Sequence, residues 1–277
     1  MHTRFWIAMT AALLIEPSAM APPTTVIFES WGPDAAAITP ARDALRAAIG
    51  GSIVAAANGL LVGVRRAINW DGVPEARADP NLLPANFSNV KSTRGVVFST
   101  PGSGFLVSAN AGTVSPILFG FASDFAVFSA QRLFTAVNST ITDVSFFVAG
   151  TATAATTTAF GAIFTDVETV GTTTMDFLDE TGALFMTRSG LTSGNQGLSF
   201  LGAQVSGGAI SRVRITSGLN TITTNGQLGN RQDDVVVIDD FIYAKAKAAV
   251  PLPATLAPVS LALAGPGVQL RLRLAPQ

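Results

Sequence analysis

Carboxylates are the only abundant reactive groups in this sequence. The densest set is Asp233, Asp234, Asp239 and Asp240, with Asp166 and Glu168 further upstream. Hard oxygens of this kind suit Ca²⁺, which takes about six to eight oxygen ligands, partly from backbone carbonyls. The spacing is not that of an EF-hand loop. The plainer expectation is that Asp233 and Asp234 are solvated loop residues. One of Asp239 and Asp240 then faces solvent while the other bonds a neighbouring loop. Hydrolysis of a glycosidic bond needs two carboxyl groups about 5–10 Å apart. Adjacent residues of a regular strand point to opposite faces, which separates Asp239 from Asp240. Asp166 and Glu168, two apart, share a face. Trp70 with Asp71 is the candidate ligand contact, because an indole stacks on the apolar face of a sugar while a carboxylate bonds its hydroxyls. Most phenylalanines are expected to be core residues.

What is missing narrows the chemistry further. The 277 residues include no Cys and a single His, His2. Thiolate chemistry and disulfides are therefore absent, and a His-based triad or a multi-histidine zinc site cannot be assembled. Only 13% of residues are charged, 48% are hydrophobic and the formal net charge is −1. That balance carries no basic footprint for nucleic acid.

The ends read as sorting signals. Met1–Arg4 is positively charged, Phe5–Ile15 is apolar apart from Thr10, and Ala19-Met20-Ala21 forms a small-x-small box before Pro22. This is the order of a secretory signal peptide, with cleavage expected after Ala21. Near the other end stands Val250-Pro251-Leu252-Pro253-Ala254-Thr255, then an uncharged segment to Leu270, then Arg271 and Arg273. This tail resembles the PEP-CTERM sorting signal in its Val-Pro-Leu-Pro-Ala form. The resemblance implies export in a Gram-negative bacterium, transient anchoring in the inner membrane and processing by an exosortase-type enzyme. It also implies a place at the cell surface or in an exopolysaccharide matrix.

The interior must position whatever chemistry there is, and it reads as short strands. One helix is expected, with Thr39 as N-cap, Pro40 first and Gly50-Gly51 as the stop; Leu45, Ala48 and Ile49 are its apolar stripe. A strand from Arg65 runs into an Asp71-Gly72 turn, and a polar loop covers Glu75 to Ser92. Ten strands follow: Val96–Ser99, Gly104–Ala109, Ser129–Val137, Thr142–Val148, Phe160–Val167, Thr173–Leu178, Ala183–Arg188, Leu198–Val205, Ile210–Ser217 and Val235–Tyr243. Asp179–Gly182 marks a hairpin. In Ile210–Ser217, Val213 and Ile215 alternate with Arg212 and Arg214, the pattern of a half-buried strand.

These elements predict an all-β fold, an antiparallel β-sandwich with one short N-terminal helix; closure into a barrel is the lesser option. The segments Ala159–Val167, Gly197–Gly202 and Ile210–Ser217, with the ending Asp239-Asp240-Phe241, resemble jelly-roll, galactose-binding-like domains of secreted bacterial proteins. The expected organisation is a signal peptide at 1–21, a helix-and-loop segment at 22–94, the sandwich at 95–249 and the sorting tail at 250–277. The expected function is that of an exported, non-enzymatic surface or matrix protein with no required cofactor. The alternative is a carbohydrate-binding module stabilised by structural Ca²⁺, with exopolysaccharide as partner. A carboxylate-dependent glycan hydrolase or lyase is the third reading.

Overall fold

The computed structural model describes residues 23–249 apart from 53, 56–60, 111–116, 225 and 230–233. Two antiparallel sheets pack face to face. The larger is built from β1 (Thr24–Gly32), β13 (Leu198–Ser206), β10 (Ala159–Thr165), β15 (Val237–Ala244), β7 (Phe134–Val137) and β6 (Gly104–Val107), in that spatial order, with β4 (Arg65–Ile68) also on β15. The smaller runs β12 (Leu184–Ser189), β11 (Thr174–Leu178), β14 (Arg212–Thr216), β8 (Ile141–Phe146) and β5 (Val96–Ser99). Both sheets end in open strands, so the fold is a sandwich and not a closed barrel. Two-residue strands β2 (Val54–Ala55) with β3 (Leu61–Val62), and β9 (Ala155–Thr156) with β16 (Lys247–Ala248), complete the set.

The alternation in the sequence is what makes the sandwich close. Val213 and Ile215 of β14 are fully buried against Phe164 and Phe241 of the opposite sheet in one continuous core. Arg214 on the outer face forks onto its cross-strand partner Asp143, with Nε and Nη2 each 2.9 Å from a carboxylate oxygen. Strands β10 and β15 are buried along their whole length, because the larger sheet is covered on its outer face as well. One end of that face lies under the helix α1 (Ala35–Ile49), through Ile38 and Leu45. The other lies under loops carrying Phe119, Phe125 and Ile222. Double burial accounts for a chain so poor in charge.

Three details differ from expectation. Helix α1 starts at Ala35, not after Thr39: the Asp34 carboxylate accepts the Ala37 N–H at 3.1 Å and acts as the cap. Pro40 therefore sits inside the helix, where it withholds one backbone donor; the burial of Ile38 in the preceding turn offsets that loss. The buried stripe is Ile38 and Leu45, whereas Ala48 is exposed. Strand β1 was not expected at all, yet it pairs with β13 over nine residues, from Thr24↔Ser206 to Gly32↔Leu198. Residues 22–94 thus contribute β1 and β4 to the larger sheet as well as the helix. A second, one-turn helix, α2 (Phe87–Val90), interrupts the expected polar loop.

Candidate functional site

The Asp239–Asp240 pair shows how strand geometry overrides a simple alternation rule. Between the pairs Ala162↔Phe241 and Phe164↔Ile238 a single residue of β10, Ile163, faces both aspartates. This is a β-bulge, and it turns consecutive side chains to the same side. Ser129 Oγ lies 2.9 Å from Oδ1 of Asp239 and 2.8 Å from Oδ1 of Asp240. The expectation of one solvent-facing and one inward carboxylate is therefore corrected: both are buried, and both meet Ser129. A hydroxyl has one proton to donate, so two such contacts are best satisfied when one carboxyl is itself protonated. The surroundings agree. Burial, then the adjacent Asp240 charge, push Asp239 far above the usual carboxylate range, while the Phe128 N–H, 2.5 Å from Oδ2, pulls the other way. Burial also raises Asp240, opposed by its bond from Asp239, by Ser129 and by the Arg42 charge. The two carboxyls sit buried against one hydroxyl, and burial holds both above the ordinary carboxylate range.

Trp70 belongs to the same construction. Its indole N–H donates to the Asp239 carbonyl, within the bulge. Its ring stacks on Phe134 with centroids 4.1 Å apart and planes 3° from parallel. Trp70 is 2% exposed, so it cannot offer a face to a sugar; the candidate ligand contact is a core residue that pins the bulge. Asp71, next to it, accepts a bond from Asn69 Nδ2 at 3.0 Å, and burial raises its carboxyl above the ordinary value.

The remaining acids go elsewhere. Asp234 is buried rather than solvated: its Oδ1 accepts the N–H groups of Glu168 (2.8 Å) and Thr169 (3.2 Å), and its Oδ2 accepts the Thr172 hydroxyl. Asp233 lies outside the described residues. Asp234 and the Asp239–Asp240 pair therefore serve two separate loops. Among the described residues no group of three or more His, Cys, Asp or Glu is placed to hold a metal. Asp166 and Glu168 do share a site, a concavity of about 500 Å³ bordered also by Asp124 and Asp234. Burial, then the Glu168 charge, raise Asp166 to about 7. Its Oδ1 accepts the Gln196 N–H at 3.2 Å.

A cleft of about 550 Å³ lies between the stretches 68–77 and 84–94. Both walls are anchored to the sandwich. The first continues β4 through a turn in which Val73 N–H donates to the Trp70 carbonyl at 2.8 Å. The second is hooked to β6 by Leu83 N–H on the Phe105 carbonyl (2.8 Å) and to β5 by Phe98 N–H on the Ala85 carbonyl (3.0 Å). Arg77, Lys91 and Arg94 line it together with Asn69, Asn86 and Phe87. The sequence had drawn no attention to these residues. A signal was present in retrospect: no Asp or Glu occurs from Pro80 to Ser123, a stretch that holds Lys91 and Arg94.

Compared with protein-family models, curated proteins and solved structures, the chain matches none. The expected cleavage residues Ala19 and Ala21 and the sorting motif Val250–Thr255 lie outside the described residues.

Proposed function

We propose that this chain is an exported, non-enzymatic β-sandwich protein of the cell surface or exopolysaccharide matrix, and that it holds a short stretch of polysaccharide in the 68–94 cleft. The cleft carries the reading. Its volume of about 550 Å³ is within the range of about 300–1,000 Å³ usual for small-ligand sites. Its lining mixes amide and hydroxyl groups with the rings of Pro74, Pro84 and Phe87, a combination that suits the polar edges and apolar faces of sugars. No carboxylate lines it among the described residues, so it lacks the acid and base of a glycosidase. The sorting segments supply the address. Calorimetric titration of the intact chain with matrix polysaccharides, with and without Ca²⁺, tests the binding. Heat that disappears on narrowing the cleft with Asn86→Trp supports it, and no heat with any glycan overturns it. Mass spectrometry of secreted protein tests the address: loss of everything after the Val250–Thr255 motif is the expected result.

One observation favours a second reading, a carboxylate-dependent glycan hydrolase or lyase. Asp166, raised to about 7, borders an open concavity together with Glu168 and Asp124, and paired carboxyl groups are what such chemistry uses. Release of reducing ends from a polysaccharide, abolished by Asp166→Asn, decides for it. Binding without any release decides for the first.

A further inference from the structure

We infer that the 68–94 cleft selects acidic polysaccharide, a chain bearing uronate carboxylates; this deepens the glycan-binding reading above and rests on it. Arg77 stands on one wall and Lys91 and Arg94 on the other, so three cations face a space that no Asp or Glu lines among the described residues. In a protein whose net charge is −1, that concentration is local. On the first wall Glu75 is paired with Arg132, and Asp71, which does not line the cleft, accepts a bond from Asn69. No ion pair involves Arg77, Lys91 or Arg94 among the described residues, so their charge is offered to the cleft.

Arg94 is the fixed member of the three. Its Nε donates to the Ala67 carbonyl at 2.9 Å, and its own carbonyl accepts the buried Tyr243 hydroxyl at 3.0 Å. Burial lowers the pKa of this guanidinium from its ordinary value without a carboxylate to restore it. An arginine held in that way is poised for a forked, charge-assisted bond to a carboxylate. Arg77 and Lys91 are exposed, and they add point attraction along a polymer that crosses the cleft. The neutral groups between them, Asn69, Asn86 and Ser92, fit hydroxyls. A free phosphate would leave those groups and the rings of Pro74 and Phe87 without partners.

The test uses the intact chain and two forms of one polymer, polygalacturonate and its fully methyl-esterified form, in which each carboxylate is replaced by a neutral methyl ester. Expected is binding of polygalacturonate that weakens with salt, weakens at least about tenfold in Arg77→Gln/Lys91→Gln, and is about tenfold tighter than to the ester. Both substitutions are at exposed positions, so circular dichroism should report an unchanged fold. Equal or tighter binding of the ester overturns the acidic selectivity and leaves the glycan site standing. No binding of either form overturns both. Polygalacturonate binding that ignores the double substitution places the site elsewhere and overturns the assignment. A single-stranded oligonucleotide of matched charge that binds equally well also overturns it, because the cleft would then be a general polyanion attractor.

Discussion

At the scale of single residues, the most informative group is the Asp239 carboxyl. It accepts the Phe128 N–H and meets Ser129 Oγ, and burial beside Asp240 holds it well above the usual carboxylate range. Asp239→Asn keeps an oxygen for the N–H groups and supplies N–H in place of the acid proton, so chemical denaturation should find it within about 1 kcal/mol of the parent at pH 5. Asp239→Ala strands those donors in the interior and should cost about 2–4 kcal/mol. The sign of the pH dependence follows from the raised pKa values. Where a carboxyl titrates higher in the folded than in the unfolded chain, the folded state binds more protons between the two values, and stability falls as pH rises. For Asp166 that window runs from the ordinary carboxylate range up to about 7. Asp166→Asn, which retains the acceptor for Gln196, should flatten the fall across this window. At pH 8 it should gain about 1–2 kcal/mol, a figure discounted for the carboxyl's contact with solvent in the concavity. A parent whose melting temperature is level from pH 4.5 to 8 would contradict the placement of both carboxyls.

At the scale of elements, the close seat of α1 on the larger sheet depends on two small residues. Gly161 and Gly202 face each other across β10 and β13, and a Cβ at either would lie 2.7 or 2.8 Å from Leu45 Cδ2. Gly202→Ala should therefore cost about 1–3 kcal/mol by pushing the helix outward. Leu45→Ala alone should cost about 2–5 kcal/mol from the cavity it leaves. The double variant should lose less than the sum, because the space vacated by Leu45 accepts the new methyl; strict additivity by denaturation would show that helix and sheet do not meet there. This seat was invisible in the sequence, since glycines within strands carry no pattern. The ten strands from Val96 onward were legible, because each alternates or is bounded by turn residues, and the Asp179–Gly182 hairpin formed where its turn chemistry said. What escaped has a common physical cause. The bulge at Asp239–Asp240, the burial of Asp234 and the stacking of Trp70 on Phe134 all depend on contacts between distant segments. Local periodicity describes regular strands, and the candidate acids sit where the strand is irregular. Arg77, Lys91 and Arg94 converge only because β4, β5 and β6 bring two loops together.

At the scale of the whole molecule, the N-terminal residues decide whether the sandwich has a finished edge and a finished outer face. Strand β1 satisfies the backbone of β13 along nine pairs, and α1, which follows it directly, covers Ile163, Phe200 and Ile242. Removing both would uncover a long open strand edge and an apolar face side by side, which is the arrangement that drives sheets to pair between molecules. A chain that begins at residue 51 keeps β4 and every strand of the smaller sheet, so its core between the sheets remains nominally complete. It should nevertheless elute as dimers or larger species in size-exclusion chromatography, with faster amide exchange along β13 than in a chain that begins at residue 23. The placement of the helix argues the same way: its buried stripe, Ile38 and Leu45, touches only the outer face, so the inner core cannot compensate for its loss. A monomeric, cooperatively melting chain from residue 51 would mean that β1 and α1 decorate a self-sufficient sandwich. Aggregation relieved by restoring residues 23–50 would mean that the first two elements belong to the domain itself, and that the 68–94 cleft is held by a sheet whose far edge they close.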